Sequence, residues 1–294
     1  MLIPVIAACV LGFTTSKTVC ALGFTSSKTV AAAAVGTAAY AGSNSAFIVM
    51  EQHSGLIMEA RNERAQLPMA STTKVLTAIT ALRHANPDEP VRIPKKAVGV
   101  EGSSIYLTEG EVLPLRDLLY GLMLRSGNDA ATAIAVHVGG GNPARFMGMM
   151  NDTARRAGAY NSNFTNPHGL HSPDHFTTAY DLAMITRYAM NNPEFLKISA
   201  TKTYRSVSAG GQVRIFNNKN KILHLMGGGN GVKTGFTKAA GRCLVASAKR
   251  GDVQLIAVVL NVGDMWNACI DGMERAFLKV RQNDLIFSKD LYTL

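Results

Sequence analysis

Short hydrophobic runs at the start and in the last third of the region after residue 41 indicate β-strands. Residues 46–50 and 56–58 are apolar and flank His53-Ser54-Gly55, an arrangement that predicts a β-hairpin. Three later runs are rich in β-branched residues and are separated by glycines, which predicts further strands. These three runs are residues 232–235, 242–248 and 253–262.

Between these two groups of strands, the hydrophobic spacing changes to three and four residues, which is typical of amphipathic helices. Pro68 precedes the first such segment, residues 70–84, in which Leu76, Ile79 and Leu82 recur at core-facing positions. The same spacing predicts five more helices in residues 115–123, 130–138, 143–157, 178–190 and 265–281.

Strands at both ends of a helical middle predict an α+β fold. We expect a mixed, mainly antiparallel sheet built from N- and C-terminal segments, flanked by helices and joined to a central helical subdomain. The chain has 294 residues, of which 47% are hydrophobic and 17% charged, as in globular proteins. Because no linker-like stretch interrupts it, residues 42–282 are predicted to form one domain, followed by a short tail, 283–294.

The net charge of +10 is compatible with an anionic partner such as nucleic acid, a membrane surface or an acidic cell-wall polymer. The basic residues are scattered, however, and no run of Lys and Arg is interleaved with aromatic residues. This distribution argues against nucleic-acid binding.

Residues 1–41 differ from the rest and are predicted to be an export segment. Lys28 provides a positive flank, residues 30–40 are apolar and rich in alanine, and Ala39-Tyr40-Ala41 fits a small-x-small cleavage site. We therefore expect an exported, extracytoplasmic protein. Whether the segment is removed, giving a secreted protein, or stays as a membrane anchor is left open. Cys9 follows too short an apolar stretch for a lipoprotein signal.

Two of the four cysteines, Cys9 and Cys20, fall in that segment, and Cys243 and Cys269 fall in the predicted domain. Cys243 belongs to an apolar run, where a buried, reduced thiol is expected. A disulfide between Cys243 and Cys269 remains open for an exported protein. No C-x-x-C pair is present, so a zinc site built on cysteines is excluded.

Three short motifs in a fixed order carry the chemistry: Ser71-Thr72-Thr73-Lys74, Ser126-Gly127-Asn128 and Lys233-Thr234-Gly235. Residues three apart share a helix face, so Ser71 and Lys74 are expected to touch. A position near a helix N-terminus favours a developing oxyanion. A lysine among apolar groups and near a second cation loses its proton readily and becomes a base for the serine hydroxyl.

Lys233 is the predicted second cation and is also expected to attract an anionic substrate terminus. Ser126 is the expected proton relay between Lys74 and the leaving group, and Asn128 is expected to hold a substrate amide. Ser199 and Lys202 also fit the S-x-x-K pattern, but no further motif accompanies them, so this second match is interpreted as chance.

The motifs and their surroundings resemble the penicillin-binding D-alanyl-D-alanine carboxypeptidases, serine peptidases of bacterial cell walls with the β-lactamase/transpeptidase-like fold. The resemblance extends over residues 46–281. It rests on residues 68–75, Gly110-Glu111, residues 117–131, Asn166-Pro-His-Gly-Leu170, residues 177–183 and residues 231–237.

The resemblance implies that Ser71 is the acyl-enzyme nucleophile and Lys74 its general base, with Ser126 as the third catalytic group. It implies that the substrate is held by Asn128, Lys233, Thr234, Gly235, Phe236 and Thr237, with the backbone N–H groups of Ser71 and Phe236 as the oxyanion hole. The implied substrate is a peptidoglycan stem peptide ending in D-Ala-D-Ala, and β-lactams are the implied covalent inhibitors. No cofactor and no metal are implied.

The sequence departs from this family in three respects. Many relatives continue into a β-rich domain and an amphipathic anchoring helix. For this chain we expect the catalytic domain without either of these additions. Phe236 stands where some relatives carry histidine. Some relatives hold the substrate carboxylate with an arginine after the last strand, and residues 263–268 contain none.

Individual features of the sequence are compatible with four other functions. Residues 227–234 resemble a phosphate-binding loop, but Val232 separates the glycines from Lys233. A zinc site is conceivable at His168, His171, Asp174 and His175, in a turn-rich loop. A β-lactamase would need a glutamate that activates a water molecule for deacylation, and Glu194 is the only glutamate in residues 129–232. A non-catalytic penicillin-binding sensor or scaffold would be favoured by a degraded motif, and none is degraded.

Overall fold

A computed structural model describes residues 44–282 of the chain. The predicted export segment, residues 1–41, with Cys9 and Cys20, and the predicted tail, residues 283–294, lie outside the described residues. The strands follow one another along the chain as β1 (Ala46–Glu51), β2 (Ile57–Arg61), β3 (Pro90–Arg92), β4 (Val112–Pro114), β5 (Thr203–Val207), β6 (Val213–Asn217), β7 (Gly229–Thr237), β8 (Gly241–Arg250) and β9 (Val253–Leu260).

The main sheet has five strands in the order β2-β1-β9-β8-β7, and every pairing in it is antiparallel. The first hairpin and the three C-terminal strands are therefore present, and β1 returns to pair with β9 as predicted. Strand β7 forms one edge of the sheet, so half of its backbone N–H and C=O groups face away from β8.

Both faces of the sheet are covered, which explains the unbroken hydrophobic runs of its strands. In β9, Ile256, Val258 and Leu260 pack in a core beneath the central helices. The alternate residues Leu255, Ala257 and Val259 pack against the C-terminal helix in a second core. Each fully buried aliphatic side chain of this kind stabilises the fold by about 1.5–3 kcal/mol.

The helices are α1 (Lys74–His84), α2 (Leu115–Tyr120), α3 (Asn128–Val138), α4 (Pro143–Arg156), α5 (Ala179–Ala189), α6 (Pro193–Ala200), α7 (Ile222–Leu225) and α8 (Met265–Gln282). The six predicted helices are all present, with small shifts of their ends. Side-chain caps define three of the helix starts, because Asn142, Thr178 and Asn192 each accept a backbone N–H from the first turn. Among residues 44–282, no helix is both long and apolar enough to cross a membrane.

Two small hairpins and the helices α6 and α7 were not predicted. Strands β3 and β4 have three residues each, too few for a recognisable pattern. The β5–β6 hairpin directs polar groups inward, because Tyr204 Oη and Ser206 Oγ each donate to a different oxygen of the Asp117 carboxylate at 2.6 Å. Its alternation is therefore not one of hydrophobic against polar residues, and a hydrophobic pattern does not detect it.

The thiols of Cys243 and Cys269 are both free and fully buried. Cys243 belongs to the core under the central helices and Cys269 to the core under α8, on opposite faces of the sheet. The disulfide that the sequence left open is therefore absent. Burial raises the pKa of the Cys243 thiol to about 12 and also raises the pKa of Cys269, so both stay protonated.

Candidate active site

Ser71 lies in a 3₁₀ turn, Ala70–Thr73, that leads directly into α1. Ala70 adopts a left-handed backbone conformation with φ of 48°, which is uncommon for a residue other than glycine. The hydroxyls of Thr72 and Thr73 donate to the carbonyls of Met69 and Ala70 at 2.6 and 2.8 Å. The turn is thus held by its own side chains, and Ser71 lines the cleft at the start of the helix, as predicted.

The Lys74 side chain is fully buried, and its Nζ atom has three oxygen neighbours. Ser71 Oγ lies at 2.8 Å, Asn128 Oδ1 at 2.7 Å and the His168 carbonyl oxygen at 2.6 Å. The last two are acceptors only and require N–H donors, whereas the serine hydroxyl is able to donate. A neutral amine satisfies all three contacts when its lone pair accepts the Ser71 proton.

The surroundings of Lys74 favour that neutral form. Burial lowers the pKa of Lys74 well below its ordinary value, and the nearby charge of Lys233 lowers it further. The buried carboxylate of Asp129 acts in the opposite direction and is the weaker influence. This arrangement matches the predicted second cation near the lysine base.

Ser126 follows a π-helical turn, Gly121–Arg125, that continues α2, and it has a left-handed φ of 66°. The π turn ends the helix predicted for residues 115–123 and turns the Ser126 side chain into the cleft. Ser126 Oγ accepts a hydrogen bond from Lys233 Nζ at 3.1 Å. The three described neighbours of Lys74 Nζ do not include Ser126, so the predicted relay from Lys74 through Ser126 stays a prediction.

Asn128 begins α3, and both ends of its amide are bound within the protein. Its Oδ1 accepts from Lys74, and its Nδ2 donates to the Glu101 carbonyl at 2.5 Å. A Cβ atom on Gly102 would lie 2.7 Å from Nδ2, so a glycine is needed beside this amide. Asn128 therefore orients Lys74, and its predicted contact with a substrate amide stays a prediction.

The loop around Ser103 is held from two sides. Asp129 accepts the backbone N–H groups of Ile105 and Leu107 at 3.0 to 3.2 Å. Arg214 donates to the carbonyl of Ile105 at 2.9 Å and forms a buried, bidentate ion pair with Glu111. These buried polar contacts fix the loop that brings Ser103 to the cleft.

Lys233 lies on β7 with its side chain buried, donating to Ser126 Oγ and to the Thr234 carbonyl at 2.8 Å. Burial, aided by the charge of Lys219, lowers the pKa of Lys233 to about 7. Thr234, Gly235 and Phe236 line the cleft itself. Thr237 ends the strand, where its hydroxyl accepts the backbone N–H of Ala240 at 3.0 Å.

Gly235 allows β7 to pass directly against the nucleophile. A Cβ atom at this position would lie 3.0 Å from Ser71 N and 3.1 Å from both Ala70 Cβ and Met69 O. We expect Gly235→Ala to displace β7 and to slow acylation of Ser71 by a β-lactam by at least about 10-fold, since a shift of about 1 Å in a site costs up to 10²-fold. The measurement is the acylation rate constant with a fluorescent penicillin.

Gly148→Ala is the matched control for this substitution. Gly148 lies within α4, and an added Cβ meets no atom within 4 Å. Alanine there should leave the acylation rate unchanged and stabilise the helix by about 0.5–1 kcal/mol. Equal acylation rates for Gly235→Ala and the wild type would contradict the close approach described for β7.

Residues 166–175 pack against the turn that carries Ser71. The Gly169 backbone lies so close to Ala70 that a Cβ atom would be 1.9 Å from the Ala70 carbonyl oxygen. His175 is buried, accepts the Thr165 N–H at its Nδ1 atom (3.1 Å) and places Nε2 2.9 Å from Thr73 Oγ1. In the described residues no group of His, Cys, Asp and Glu side chains is arranged to hold a metal, so the zinc alternative finds no support here.

His175 is expected to make the fold sensitive to acid. Burial lowers its pKa from 6.5 to about 4, with smaller effects from the charges of His168, His171 and Lys74. The unfolded chain therefore takes up this proton first as pH falls below 6.5, and stability that is full above pH 6.5 is lost towards pH 4. Between pH 7.5 and 5 the loss from His175 should be about 2 kcal/mol of unfolding free energy.

Urea unfolding at these two pH values measures the total loss, to which His168 also contributes, because burial lowers its pKa to about 4 as well. His175→Gln, which retains hydrogen-bonding capacity, should reduce it by about 2 kcal/mol, whereas the exposed His171→Gln should leave most of it. An unchanged difference between the two pH values in His175→Gln would show that another group causes the acid sensitivity.

The cleft has a volume of about 340 Å³ and lies between the nucleophile turn, the edge strand β7 and the start of α8. Its lining side chains combine hydroxyls, cations and apolar groups: Ser71, Ser103, Ser126, Lys219, Thr234, Phe236, Arg242, Met265 and Trp266, with Gly235 between them. Phe236 is 65% exposed, so its side chain is available to a ligand. Neither Asp nor Glu lines this cleft among residues 44–282.

The structure separates the remaining sequence candidates from the cleft. Ser199 is buried and donates to the Leu196 carbonyl at 3.0 Å, whereas Lys202 is exposed, so they form no catalytic pair. Lys233 and Thr234 belong to a strand and not to a loop before a helix, which excludes a phosphate-binding loop. Glu194 forms an ion pair with Arg116 and does not line the cleft.

Three features of the site were not predicted from the sequence. The carbonyls of His168 and Glu101 are backbone groups, and no side-chain pattern marks them. Arg242 lines the cleft from β8, opposite Phe236 in the strand register. Its position across a tight β-hairpin from Phe236 was a usable signal, because paired positions on neighbouring strands share a face.

Comparison with known proteins gives a consistent result. The sequence profile of the D-alanyl-D-alanine carboxypeptidase family (Peptidase S11) matches residues 29–264. The chain is 31% identical over 218 residues to the D-alanyl-D-alanine carboxypeptidase DacF of Bacillus subtilis, covering 72% of this chain and 56% of that protein. It is 34% identical over 221 residues to DacB2 of Mycobacterium tuberculosis, covering 74% and 75%.

Solved structures show the same fold. A D-alanyl-D-alanine carboxypeptidase from M. tuberculosis superposes with a TM-score of 0.74 at 31% identity, covering 80% of this chain and 90% of that one. A Streptomyces DD-transpeptidase gives 0.70 at 30% identity, covering 82% and 96%. The match spans little more than half the length of the first curated relatives. The chain belongs to the D-alanyl-D-alanine carboxypeptidase family of serine peptidases.

Proposed function

We propose that this protein is a serine-type D-alanyl-D-alanine carboxypeptidase that removes the terminal D-Ala from peptidoglycan stem pentapeptides. The observation that carries the proposal is the set of contacts around Lys74 Nζ: two carbonyl acceptors and the Ser71 hydroxyl, all within 2.8 Å. This set uses both N–H groups of a neutral amine and leaves its lone pair for the Ser71 proton.

In the acylation step, Ser71 Oγ attacks the carbonyl carbon of the penultimate D-Ala while Lys74 takes the hydroxyl proton. The charge that develops on the carbonyl oxygen is stabilised by the backbone N–H groups of Ser71 and Phe236, at a helix start and on an edge strand. The C–N bond then breaks, and the acyl group remains on Ser71. The proton that Lys74 took from Ser71 passes by way of the Ser126 hydroxyl to the amine of the leaving D-Ala.

In the deacylation step, a water molecule attacks the carbonyl carbon of the Ser71 ester and gives a proton to Lys74. Lys74 then returns a proton to Ser71 Oγ as the acyl C–O bond breaks, which releases the shortened peptide and restores the serine hydroxyl. Lys74 is suited to this second role because it is again a neutral amine beside Oγ. Glu194, which a β-lactamase mechanism would use, is bound to Arg116 outside the cleft. The proposed reaction uses only side chains, backbone groups and water.

Substrate binding is assigned to the edge strand and its surroundings. An extended peptide lying along β7 would meet the outward N–H and C=O groups of this strand. Thr234 offers its hydroxyl to the substrate carboxylate, and the charge of Lys233 reaches the cleft through Ser126. Gly235, Phe236 and Thr237 continue the strand beside the scissile bond, and Asn128 is assigned to the substrate amide.

We assign this activity to the extracytoplasmic side of the cell envelope, where peptidoglycan stem peptides are found. β-Lactams, whose strained amide presents a carbonyl and a neighbouring carboxylate, are the expected covalent inhibitors of Ser71. Membrane association through residues 1–41 remains a prediction from the sequence.

The test uses the wild-type protein with a peptide ending in D-Ala-D-Ala and with a fluorescent penicillin. Release of D-alanine together with stable covalent labelling supports the proposal. Labelling without any release of D-alanine would favour the penicillin-binding sensor, and rapid hydrolysis of the penicillin would favour a β-lactamase.

A further inference from the structure

The cleft contains a guanidinium group that the proposed reaction has not used. Arg242 lies near the start of β8, where it pairs in register with Phe236 of β7. Paired residues of neighbouring strands point to the same face, and Thr234 and Phe236, two residues apart on β7, share that face as well. Thr234, Phe236 and Arg242 therefore form one continuous patch of the cleft wall.

Arg242 has no acidic partner among residues 44–282, and its side chain is exposed. The other arginine of the same strand, Arg250, forms a bidentate ion pair with Glu274. An uncompensated guanidinium in a cleft without acidic residues is suited to a carboxylate, which accepts two parallel hydrogen bonds from it.

The lysine expected to hold the substrate carboxylate is poorly placed for direct contact. Lys233 is buried and donates to Ser126 Oγ and to the Thr234 carbonyl. Its low pKa, about 7, means that it carries only part of a charge at neutral pH. Arg242, which is exposed in the cleft and has no acidic partner in residues 44–282, can contact a carboxylate directly, and an arginine keeps its charge at all working pH values.

The start of α8 supports this assignment. Residues 263–268 contain no arginine, and this segment contributes the side chains of Met265 and Trp266 to the cleft wall. Lys219 is the other cation that lines the cleft, and it follows β6 on a different segment. Arg242 is thus the cation that shares a face with Thr234.

We propose that Arg242, together with the Thr234 hydroxyl, binds the free carboxylate of the substrate's C-terminal residue and so restricts the enzyme to peptides with an unmodified C-terminus. This inference rests on the proposed function. It assigns to β8 a specificity residue that neither the three motifs nor the resemblance indicated.

The experiment compares two substrates that differ only in the carboxylate: a peptide ending in D-Ala-D-Ala and the same peptide with a C-terminal amide. In the wild type, kcat/KM should favour the free acid. In Arg242→Gln, kcat/KM for the acid should fall about 10- to 100-fold, while that for the amide stays within about twofold, because a charge-assisted hydrogen bond is lost from one substrate alone. Arg242→Lys should restore part of the preference.

Two further variants separate a specific contact from general charge. Arg205→Gln removes an exposed arginine of β5 that does not line the cleft. It should change kcat/KM neither for the free acid nor for the amide. Lys219→Gln removes the other cleft cation and should change the acid-to-amide ratio much less than Arg242→Gln. An equal change in Lys219→Gln, an unchanged ratio in Arg242→Gln, or an equal fall with both substrates would overturn the assignment.

A second measurement keeps this inference separate from the proposed function. If the wild type releases no D-alanine, the proposed function fails, but acylation by benzylpenicillin and by its methyl ester still reports on Arg242. Arg242→Gln should slow acylation by the free acid about 10-fold or more and leave the ester unaffected. Equal acylation rates for Arg242→Gln and the wild type with the free acid would overturn the inference.

Discussion

Ser71→Ala is expected to abolish both covalent labelling by a fluorescent penicillin and release of D-alanine, with a loss in kcat of at least about 10⁴-fold. The reason is that no other hydroxyl in residues 44–282 is hydrogen-bonded to Lys74 Nζ, whose remaining partners there are the Asn128 amide oxygen and the His168 carbonyl. The measurements are gel fluorescence after labelling and an assay of free D-alanine.

The chain contains its own control for this experiment. Ser199 begins the second S-x-x-K sequence, but it is buried and bonded to a backbone carbonyl of its own helix. Ser199→Ala should keep full labelling and full activity, at a stability cost of about 1 kcal/mol for the lost hydrogen bond. Labelling that survives in Ser71→Ala, or disappears in Ser199→Ala, would place the nucleophile elsewhere.

Lys74→Arg is expected to lower kcat by about 10² to 10⁴-fold, although it keeps a positive charge in the site. A guanidinium does not release its proton at any working pH and therefore cannot accept one from Ser71. Lys74→Met, which fills a similar volume without a base, should lower kcat by as much. Lys202→Met, in the second S-x-x-K sequence, should leave kcat unchanged.

The pH dependence gives an independent test of the same base. Burial and Lys233 lower the pKa of Lys74, and the reactive form is the neutral amine. In the wild type, the acylation rate should therefore rise with pH until this lowered pKa is passed and then level off well before the pKa of an ordinary lysine. The residual rate of Lys74→Met should lack this rise. A rise of the same shape in Lys74→Met would assign the titration to another group.

The sequence predicted the strands of the main sheet and six of the eight helices described in residues 44–282, because the hydrophobic residues of these elements follow recognisable patterns. Strands β8 and β9 are covered on both faces and therefore read as unbroken hydrophobic runs. The β5–β6 hairpin was not predicted, because its inward-facing hydroxyls bind Asp117 and it therefore lacks a regular hydrophobic pattern. Short turns such as the π turn before Ser126 depend on tertiary contacts that local sequence does not encode.

The three motifs predicted which side chains meet, but not how the site is completed. Ser71 and Lys74 meet because they are three residues apart at a helix start, which sequence spacing reveals. The contact between Lys233 and Ser126 joins residues 107 positions apart, and although both residues were predicted to belong to the site, this hydrogen bond was not predicted. The carbonyls of His168 and Glu101 are supplied by backbone, where residue identity carries little information.

The position of β1 has a consequence for how the domain folds. This strand lies between β2 and β9, and its register with β9 joins Ala46 to Leu260. A nascent chain that has not yet reached Val253 has no partner for that side of β1, so the sheet cannot close until nearly the whole domain has been synthesised. Such distant pairing makes folding slow relative to helical proteins of the same size. Truncation before β9 therefore removes the domain's central strand pairing altogether, even though Ser71, Lys74, Ser126 and Lys233 would all still be in the chain.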